Sequence, residues 1–150
     1  MVSEYRLKRR VQFYETDAAG IVHFSWYLRY MEAAEHAMWR QAGLSIHPPE
    51  TEIGWPRVAL TFEYHASLHF EDEFEVVIRI AGMSSKTITY SCELLKGEKR
   101  VGSGTMTIVC VRRPPRGRAK AIDIPPDIAE RFQVAPTLAT GTTAGSVSGP

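Results

Sequence analysis

Residues 13–27, with the sequence FYETDAAGIVHFSWY, join a predicted strand to the one long helix that the chain's hydrophobic pattern predicts. A short carboxylate, Asp17, lies in a turn that contains Gly20, directly before this apolar helix. Unpaired N–H groups at a helix start stabilise a developing oxyanion, and a carboxylate beside them acts as a nucleophile or as a general base. The stretch therefore has the parts of an acyl-transfer or hydrolysis site. Asp-x-x-Gly is also a common turn in which the carboxylate only caps the backbone.

The helix that follows is predicted from about residue 25 to about residue 42 by its hydrophobic period. Ser25 is a candidate N-cap residue and Gly43 a candidate residue just past the C-terminus. Apolar side chains recur at helical spacing, at Tyr27, Met31, Ala34 and Met38. Polar side chains are predicted to lie largely off this stripe, at Arg29, Glu32, Glu35, His36 and Arg40.

Alternating apolar residues predict strands on both sides of the helix. The first predicted strand covers residues 5–13, and later ones begin near residues 58, 74, 88 and 100. A turn at residues 96–99, a short strand near 121–124 and a short helix near 127–132 complete the pattern. Gly102 and Gly104 share one face of the last long strand, where we expect them to let the helix backbone approach. These elements predict an α+β fold in which a curved antiparallel sheet of five or six strands wraps around the long helix.

The chain has 150 residues with a net charge of +1, which fits one domain and argues against a dedicated nucleic-acid-binding protein. Residues 1–133 are predicted to form that domain. Residues 134–150 are predicted to be a flexible tail, since 14 of these 17 are Ala, Gly, Pro, Ser or Thr and none is charged. The chain lacks a signal-peptide pattern and a membrane-length apolar run, so we expect a cytoplasmic protein.

The motif Asp17-x-x-Gly20-x-Val22-x-Phe24-x-x-Tyr27, preceded by Phe13 and Thr16, resembles the signature of hotdog-fold acyl-CoA thioesterases. The branch it resembles is the 4-hydroxybenzoyl-CoA thioesterase family. The likeness continues to Gly43-Leu44, returns at residues 121–125 and covers about residues 4–132. It implies a hotdog fold, subunits that pair their sheets as a homodimer or homotetramer, and active sites at the dimer interface. It also implies an acyl-CoA substrate, with no metal and no cofactor apart from the coenzyme A of that substrate.

The resemblance also implies a role for each motif residue. Asp17 would be the catalytic carboxylate, either as nucleophile or as general base for water. The backbone N–H of Phe24 would polarise the thioester carbonyl, Gly20 would let the loop approach the substrate, and Tyr27 would seat the helix or line the acyl pocket. Many relatives have histidine at the position of Phe24, whereas this chain has His23 one residue earlier. His23 is therefore either a site residue or a local hydrogen-bonding group.

Basic residues supply candidates for the phosphates of coenzyme A. Lys86 lies where relatives place such residues, and Arg116 and Arg118 belong to a run of five basic residues between positions 112 and 120. Each is alternatively a solvated charge at the end of a strand. Another branch of hotdog thioesterases uses a helix glutamate, so Glu32 and Glu35 are reserve catalytic candidates; otherwise they form a polar helix face.

Three functions remain open on the sequence. The first is hydrolysis of an acyl-CoA with an aromatic or a short- to medium-chain acyl group. The second is a hotdog hydratase or dehydratase, which usually joins a histidine to a carboxylate. The third is a non-catalytic acyl-CoA-binding module. The Asp17-x-x-Gly20 loop favours the first.

Overall fold

A computed structural model describes residues 1–136, in which one long helix packs on an antiparallel sheet. The helices are α1 (Trp26–Gln41) and α2 (Pro126–Ala129), and a 3-10 turn covers Phe13–Glu15. The strands are β1 (Glu4–Arg10), β2 (Ile53–Gly54), β3 (Arg57–Tyr64), β4 (Glu73–Met83), β5 (Thr87–Lys96), β6 (Lys99–Val109), β7 (Val111–Arg112) and β8 (Lys120–Ala121). The main sheet has the order β1-β4-β5-β6-β3, and a small sheet has the order β2-β7-β8. The predicted α+β class is confirmed. Most of the predicted tail, residues 137–150, lies outside the described residues.

Helix α1 begins and ends close to the predicted positions. Its apolar stripe is buried against the main sheet, and Met31, Ala34 and Met38 have no exposed surface. At its end, Gly43 adopts a φ of +79°, its N–H donates to the Arg40 carbonyl at 2.9 Å, and the next N–H, of Leu44, donates to the Trp39 carbonyl at 2.9 Å. This pair of bonds is a Schellman motif, which needs a left-handed residue after the helix and so explains the glycine.

The first predicted strand is too long. β1 ends at Arg10, and Phe13 lies exposed in the 3-10 turn instead of on a buried strand face. The reason is a local polar contact, because the Glu15 carboxylate accepts a hydrogen bond from the Gln12 N–H at 2.7 Å and closes the turn. The two short elements near the C-terminus, β8 and α2, are also shorter than their predicted ranges.

Gly102 and Gly104 make room for a side chain, not for the helix backbone as predicted. A Cβ atom at Gly104 would lie 2.5 Å from the Thr61 carbonyl oxygen and 2.8 Å from Cδ2 of Phe62. A Cβ atom at Gly102 would lie 2.6 Å from Cζ of Phe62. The two glycines therefore form a trough in β6 for the ring that the neighbouring strand β3 contributes.

Strand β3 is an edge strand, and its apolar residues are more exposed than their alternation predicted. Among residues 1–136, β6 is the one strand that pairs with it. Val58, Leu60 and Tyr64 are 59%, 43% and 51% exposed. Edge strands with open backbone groups and apolar side chains are the surfaces on which sheets extend.

Glu35 is wholly buried, whereas the sequence pattern predicted a polar helix face at this position. Its carboxylate accepts a hydrogen bond from Arg57 at the start of β3. Tyr90 lies beside it on β5, and the Tyr90 hydroxyl accepts a hydrogen bond from Trp39 Nε1 at 3.0 Å. Burial raises the pKa of Glu35, and the Arg57 guanidinium opposes that rise.

Replacing Gly104 with alanine tests the trough. The added methyl group meets a backbone carbonyl and a packed ring, so we expect the free energy of unfolding to fall by about 1–3 kcal/mol. Gly82→Ala is the matched control, because nothing lies within 4 Å of a Cβ atom at that strand glycine; its effect should stay within about 0.5 kcal/mol. Urea unfolding at one protein concentration measures both variants. Equal losses of the free energy of unfolding would contradict the close packing of Phe62 against Gly104.

Candidate active site

The loop between the 3-10 turn and α1 folds back on itself through short backbone hydrogen bonds. The Glu15 carbonyl accepts from the His23 N–H at 2.8 Å, and the Asp17 N–H donates to the Ile21 carbonyl at 2.9 Å. The Gly20 N–H closes the tip by donating to the Asp17 carbonyl at 3.0 Å. Gly20 has a φ of +81°, a left-handed conformation that other residues adopt at a cost. The turn chemistry of the motif therefore holds Asp17 on one arm of a tight loop.

Asp17 lines a cleft of about 430 Å³ at the N-terminal end of α1. One carboxylate oxygen, Oδ1, accepts a hydrogen bond from the Ala19 N–H at 2.8 Å, which leaves Oδ2 to act on another group. The side of the cleft opposite the loop comes from the end of β3 and the residues after it. The other lining residues that matter here are Phe24, Tyr27, Tyr64, His65 and Ser67.

Phe24 lines this cleft just before the start of the helix. The residue is 66% exposed, and its carbonyl accepts a hydrogen bond from the Tyr64 hydroxyl at 2.9 Å. Within residues 1–136 no acceptor is bonded to the Phe24 N–H. A free N–H at a helix start is the donor that an oxyanion requires.

Tyr27 both packs in the core and faces the cleft. Its ring lies 5.2 Å from that of Phe62 and 5.1 Å from that of Tyr64, between ring centroids. Burial raises the pKa of Tyr27, and a hydrogen bond with the Leu68 backbone partly offsets this rise. The hydroxyl is therefore uncharged at neutral pH, in a cleft whose lining also includes the aromatic residues Phe24 and Tyr64.

His23 adjoins the motif, but it is not among the residues that line the cleft. Its Nδ1 lies 2.8 Å from the Ser25 hydroxyl and also accepts the Ser25 N–H at 3.3 Å. Its ring stacks on that of Phe24 at 4.3 Å between centroids. The contacts of His23 are those of a local hydrogen-bonding group at the helix start.

The basic candidates lie far from Asp17 within one chain. Arg116 and Arg118 are exposed in the hairpin of residues 112–120, which connects β7 to β8, and Lys86 pairs with the carboxylate of Asp123. This basic hairpin belongs to the small sheet, which packs near the C-terminal half of α1. The 16-residue helix spans about 24 Å. One chain therefore separates the two sets of predicted site residues by roughly the length of the helix.

Three cleft residues with polar side chains were not predicted as site residues: Tyr64, His65 and Ser67. Only Tyr64 carried a signal, as the last aromatic of an alternating strand. The imidazole of His65 is engaged elsewhere, with Nε2 lying 3.1 Å from the Ser103 hydroxyl. The reserve glutamates line a different region, because Glu32 and Glu35 both pair with Arg57.

A larger cleft of about 720 Å³ lies across β1, β4 and β5. Its charged lining residues include Arg10 and Glu73, which pair with each other. None of the motif residues borders it. Volume alone therefore does not identify the site, and the convergent polar groups favour the cleft at Asp17.

The family model described as the Thioesterase-like superfamily matches residues 11–132. The chain belongs to this superfamily. Family membership confirms both the resemblance drawn from the motif and the predicted enzyme class, a thioester hydrolase. The match begins just before the Asp17 loop and ends just after α2, so it covers α1 and every strand except β1.

Individual thioesterase-like relatives cover most of the chain. A protein of Aquifex aeolicus that carries an esterase name is 34% identical over 125 residues, which are 82% of this chain and 93% of that protein. Acyl-CoA thioester hydrolase YbgC of Escherichia coli is 25% identical over 123 residues, covering 79% of this chain and 92% of the relative. A 1,4-dihydroxy-2-naphthoyl-CoA thioesterase structure from Synechocystis superposes with a TM-score of 0.78 at 21% identity, covering 85% and 94%. That last likeness supports the fold alone.

Neither helix in residues 1–136 combines the length and the apolar character that a membrane span requires.

Tyrosine ionisation tests the burial of the cleft wall. Burial raises the pKa of Tyr27, Tyr30 and Tyr90, so these three should stay protonated until alkali unfolds the chain. In an alkaline titration of tyrosinate absorbance we expect a late step that accounts for three tyrosines and coincides with unfolding. Tyr27→Phe should lower the number of tyrosines that ionise in the late step from three to two. Ionisation of all six tyrosines in the folded protein would contradict this packing.

Proposed function

We propose that this thioesterase-like protein hydrolyses an acyl-CoA to a free acid and coenzyme A at the cleft beside Asp17. The observation that carries the proposal is that Asp17 and Phe24 line one cleft, where the Phe24 N–H at the helix start has no acceptor among the residues that the structure describes. These are the two groups that acyl transfer needs, a nucleophile or base and an oxyanion donor. The name of the Escherichia coli relative, an acyl-CoA thioester hydrolase, supports the same substrate class.

The proposed reaction uses groups of the protein alone. The Phe24 N–H donates to the thioester oxygen as negative charge develops there, and the helix dipole adds to this stabilisation. Asp17 either attacks the carbonyl carbon itself or takes a proton from the water that attacks. The carbon–sulfur bond then breaks and coenzyme A leaves as its thiolate. This thiolate takes a proton from water in the direct route, or the proton that Asp17 holds in the general-base route. In the direct route, water afterwards cleaves the acyl–Asp17 anhydride and restores the carboxylate.

The cleft suits a compact acyl group. Its volume of about 430 Å³ lies at the small end of ligand pockets, and its walls include Phe24, Tyr27 and Tyr64. An aromatic or a short- to medium-chain acyl group matches that size and lining.

We further propose that the working unit is a homodimer, or a tetramer built from such dimers, in which one site draws on two chains. The exposed edge of β3 favours antiparallel pairing with a second copy, because a two-fold axis makes such a contact self-complementary. β3 runs from Arg57, beside the C-terminal half of α1, to Tyr64, beside its N-terminus. Antiparallel pairing therefore brings the Asp17 cleft of one chain toward the basic hairpin of the other. There Lys86, Arg116 and Arg118 would meet the phosphates of coenzyme A.

The hydratase alternative receives less support. That chemistry pairs a histidine with the carboxylate, yet His23 directs Nδ1 to Ser25 and does not line the cleft. His65 does line it, but its Nε2 contacts Ser103.

Asp17→Asn tests the proposed catalytic carboxylate. The amide keeps the shape of the side chain but is neither a competent nucleophile nor a base, so kcat should fall by about 100-fold or more. Coenzyme A binding and the unfolding transition should change little. The measurement is thiol release from a panel of benzoyl-, hydroxybenzoyl-, short-chain and long-chain acyl-CoAs.

Asp127→Asn is the matched control, since Asp127 is an exposed aspartate on α2. It should retain the parental rate. A near-parental rate in Asp17→Asn, on a substrate that the parent turns over, would overturn the role of Asp17. A parent that releases thiol from no member would argue instead for the binding-module function.

Replacing Arg116 and Arg118 with alanine tests the proposed phosphate contacts. Loss of charge-assisted hydrogen bonds should raise KM for an acyl-CoA by about tenfold or more. KM for the matching acyl-pantetheine, which lacks the nucleotide phosphates, should not change. A parallel rise for both substrates would contradict phosphate recognition.

Mixing variants tests whether a site is shared. In a hybrid of an Asp17→Asn chain and an Arg116→Ala/Arg118→Ala chain, a shared site leaves one site with both sets intact. Co-refolded hybrids should therefore recover turnover with the parental KM. If each site used one chain only, the hybrid would show only high-KM activity.

A further inference from the structure

Glu15 is a buried carboxylate that the proposed reaction does not use. It is one of two wholly buried charged residues in the part of the chain that the structure describes. It lies two positions before Asp17, on the same loop. A buried carboxylate is costly unless charge and hydrogen bonds compensate for its lost hydration, so its contacts indicate what it does there.

The contacts of the Glu15 side chain all come from elements outside the loop tip. Oε1 accepts a hydrogen bond from the Gln12 N–H at 2.7 Å. Oε2 lies 3.6 Å from the guanidinium of Arg9 on β1, and that guanidinium lies over the ring of Tyr30 on α1 at 5.5 Å. Within residues 1–136 neither Glu15 Oε2 nor the Tyr30 hydroxyl has a hydrogen-bond partner, and the two buried groups lie close enough for Glu15 to help raise the pKa of Tyr30. The carboxylate thus meets both β1 and α1.

The backbone of Glu15 connects this anchor to the reacting groups. Its carbonyl accepts the His23 N–H at 2.8 Å, and the next residue after His23 is Phe24, the proposed oxyanion donor. On the other arm, Asp17 follows Glu15 by two residues and bonds Ile21 across the loop. One residue therefore sets the spacing between the proposed carboxylate and the proposed N–H donor.

We propose that Glu15, held by Arg9 and Tyr30, is a positioning residue that fixes Asp17 and the Phe24 N–H relative to each other. This inference rests on the proposed thioester hydrolysis for its kinetic consequence. Its structural consequence, a rigid loop over residues 16–24, is independent of any activity. Small displacements of reacting groups cost large factors in rate, so the anchor acts on kcat more than on substrate binding.

Glu15→Gln is the central test. The amide keeps an oxygen for the Gln12 N–H but loses the charge that faces Arg9. We expect kcat for acyl-CoA hydrolysis to fall by about 10- to 100-fold with less than a threefold change in KM. In an Asp17→Asn background the same change should have no further effect on the residual rate, because the group that it positions is gone. Additive losses in the double variant, or a change in KM with kcat retained, would overturn the positioning role.

Amide hydrogen exchange tests the anchor without relying on catalysis. Glu15→Gln should accelerate exchange in peptides that cover residues 16–24 and leave β5 and β6 protected. Glu35→Gln is the matched control, since Glu35 is equally buried and also pairs with an arginine. Glu35 lies in the C-terminal half of α1, away from the loop. It should leave exchange of the loop unchanged. Equal acceleration by both variants, or by neither, would overturn the proposal.

Tyr30→Phe keeps the proposal testable if Glu15→Gln fails to fold. It removes only the hydroxyl that faces Glu15, and it should accelerate loop exchange and lower kcat in the same direction but by less. Unchanged amide exchange over residues 16–24 would overturn the proposed role of Tyr30. If the parent protein hydrolyses no acyl-CoA, the proposed function fails, while the exchange results still decide whether Glu15 anchors the loop.

Discussion

Burial of the apolar stripe of α1 against the main sheet is the constraint on which the other features depend. Met31, Ala34 and Met38 are fully buried. Burial of each of the two methionine side chains contributes about 1.5–3 kcal/mol to the free energy of folding. The contact fixes the helix axis over the strands. It therefore also fixes the helix start, with Phe24, beside the end of β3, with Tyr64. The cleft at Asp17 is the gap that remains between these two ends.

Two buried carboxylates tie the two halves of this helix to the strands beneath it. Glu15 faces Arg9 on β1 near the helix start, and Glu35 pairs with Arg57 at the beginning of β3. Buried ion pairs rarely add net stability, because desolvation cancels most of the attraction. Their effect is to penalise arrangements that separate the partners, and so to select one position of the helix and its loop. Near the helix start, that selection holds the loop that carries Asp17.

The open edge of β3 connects the architecture to the proposed activity. A single chain holds the carboxylate and the N–H donor beside the start of α1, whereas the basic hairpin belongs to the small sheet that packs near the other end of this helix of about 24 Å. Coenzyme A carries its reactive thioester and its phosphates far apart, which suits groups that are separated. Pairing of two β3 edges would join complementary ends without any change inside either chain.

Local patterns were enough to predict the long helix, the positions of the long strands along the chain, the turn at Gly20 and the left-handed residue Gly43, because each depends on neighbours within a few residues. The family resemblance also followed from one short motif. The burial of Glu15 and Glu35, the trough at Gly104 and the exposure of β3 were decided only by tertiary structure. For the carboxylates and the glycine the partner lies on another element: Arg9 and Arg57 pair with the carboxylates, and Phe62 fills the space at the glycine. The exposure of β3 depends on the position of this strand at the edge of the sheet. A one-dimensional pattern specifies which face of an element is apolar, but not which element will cover it.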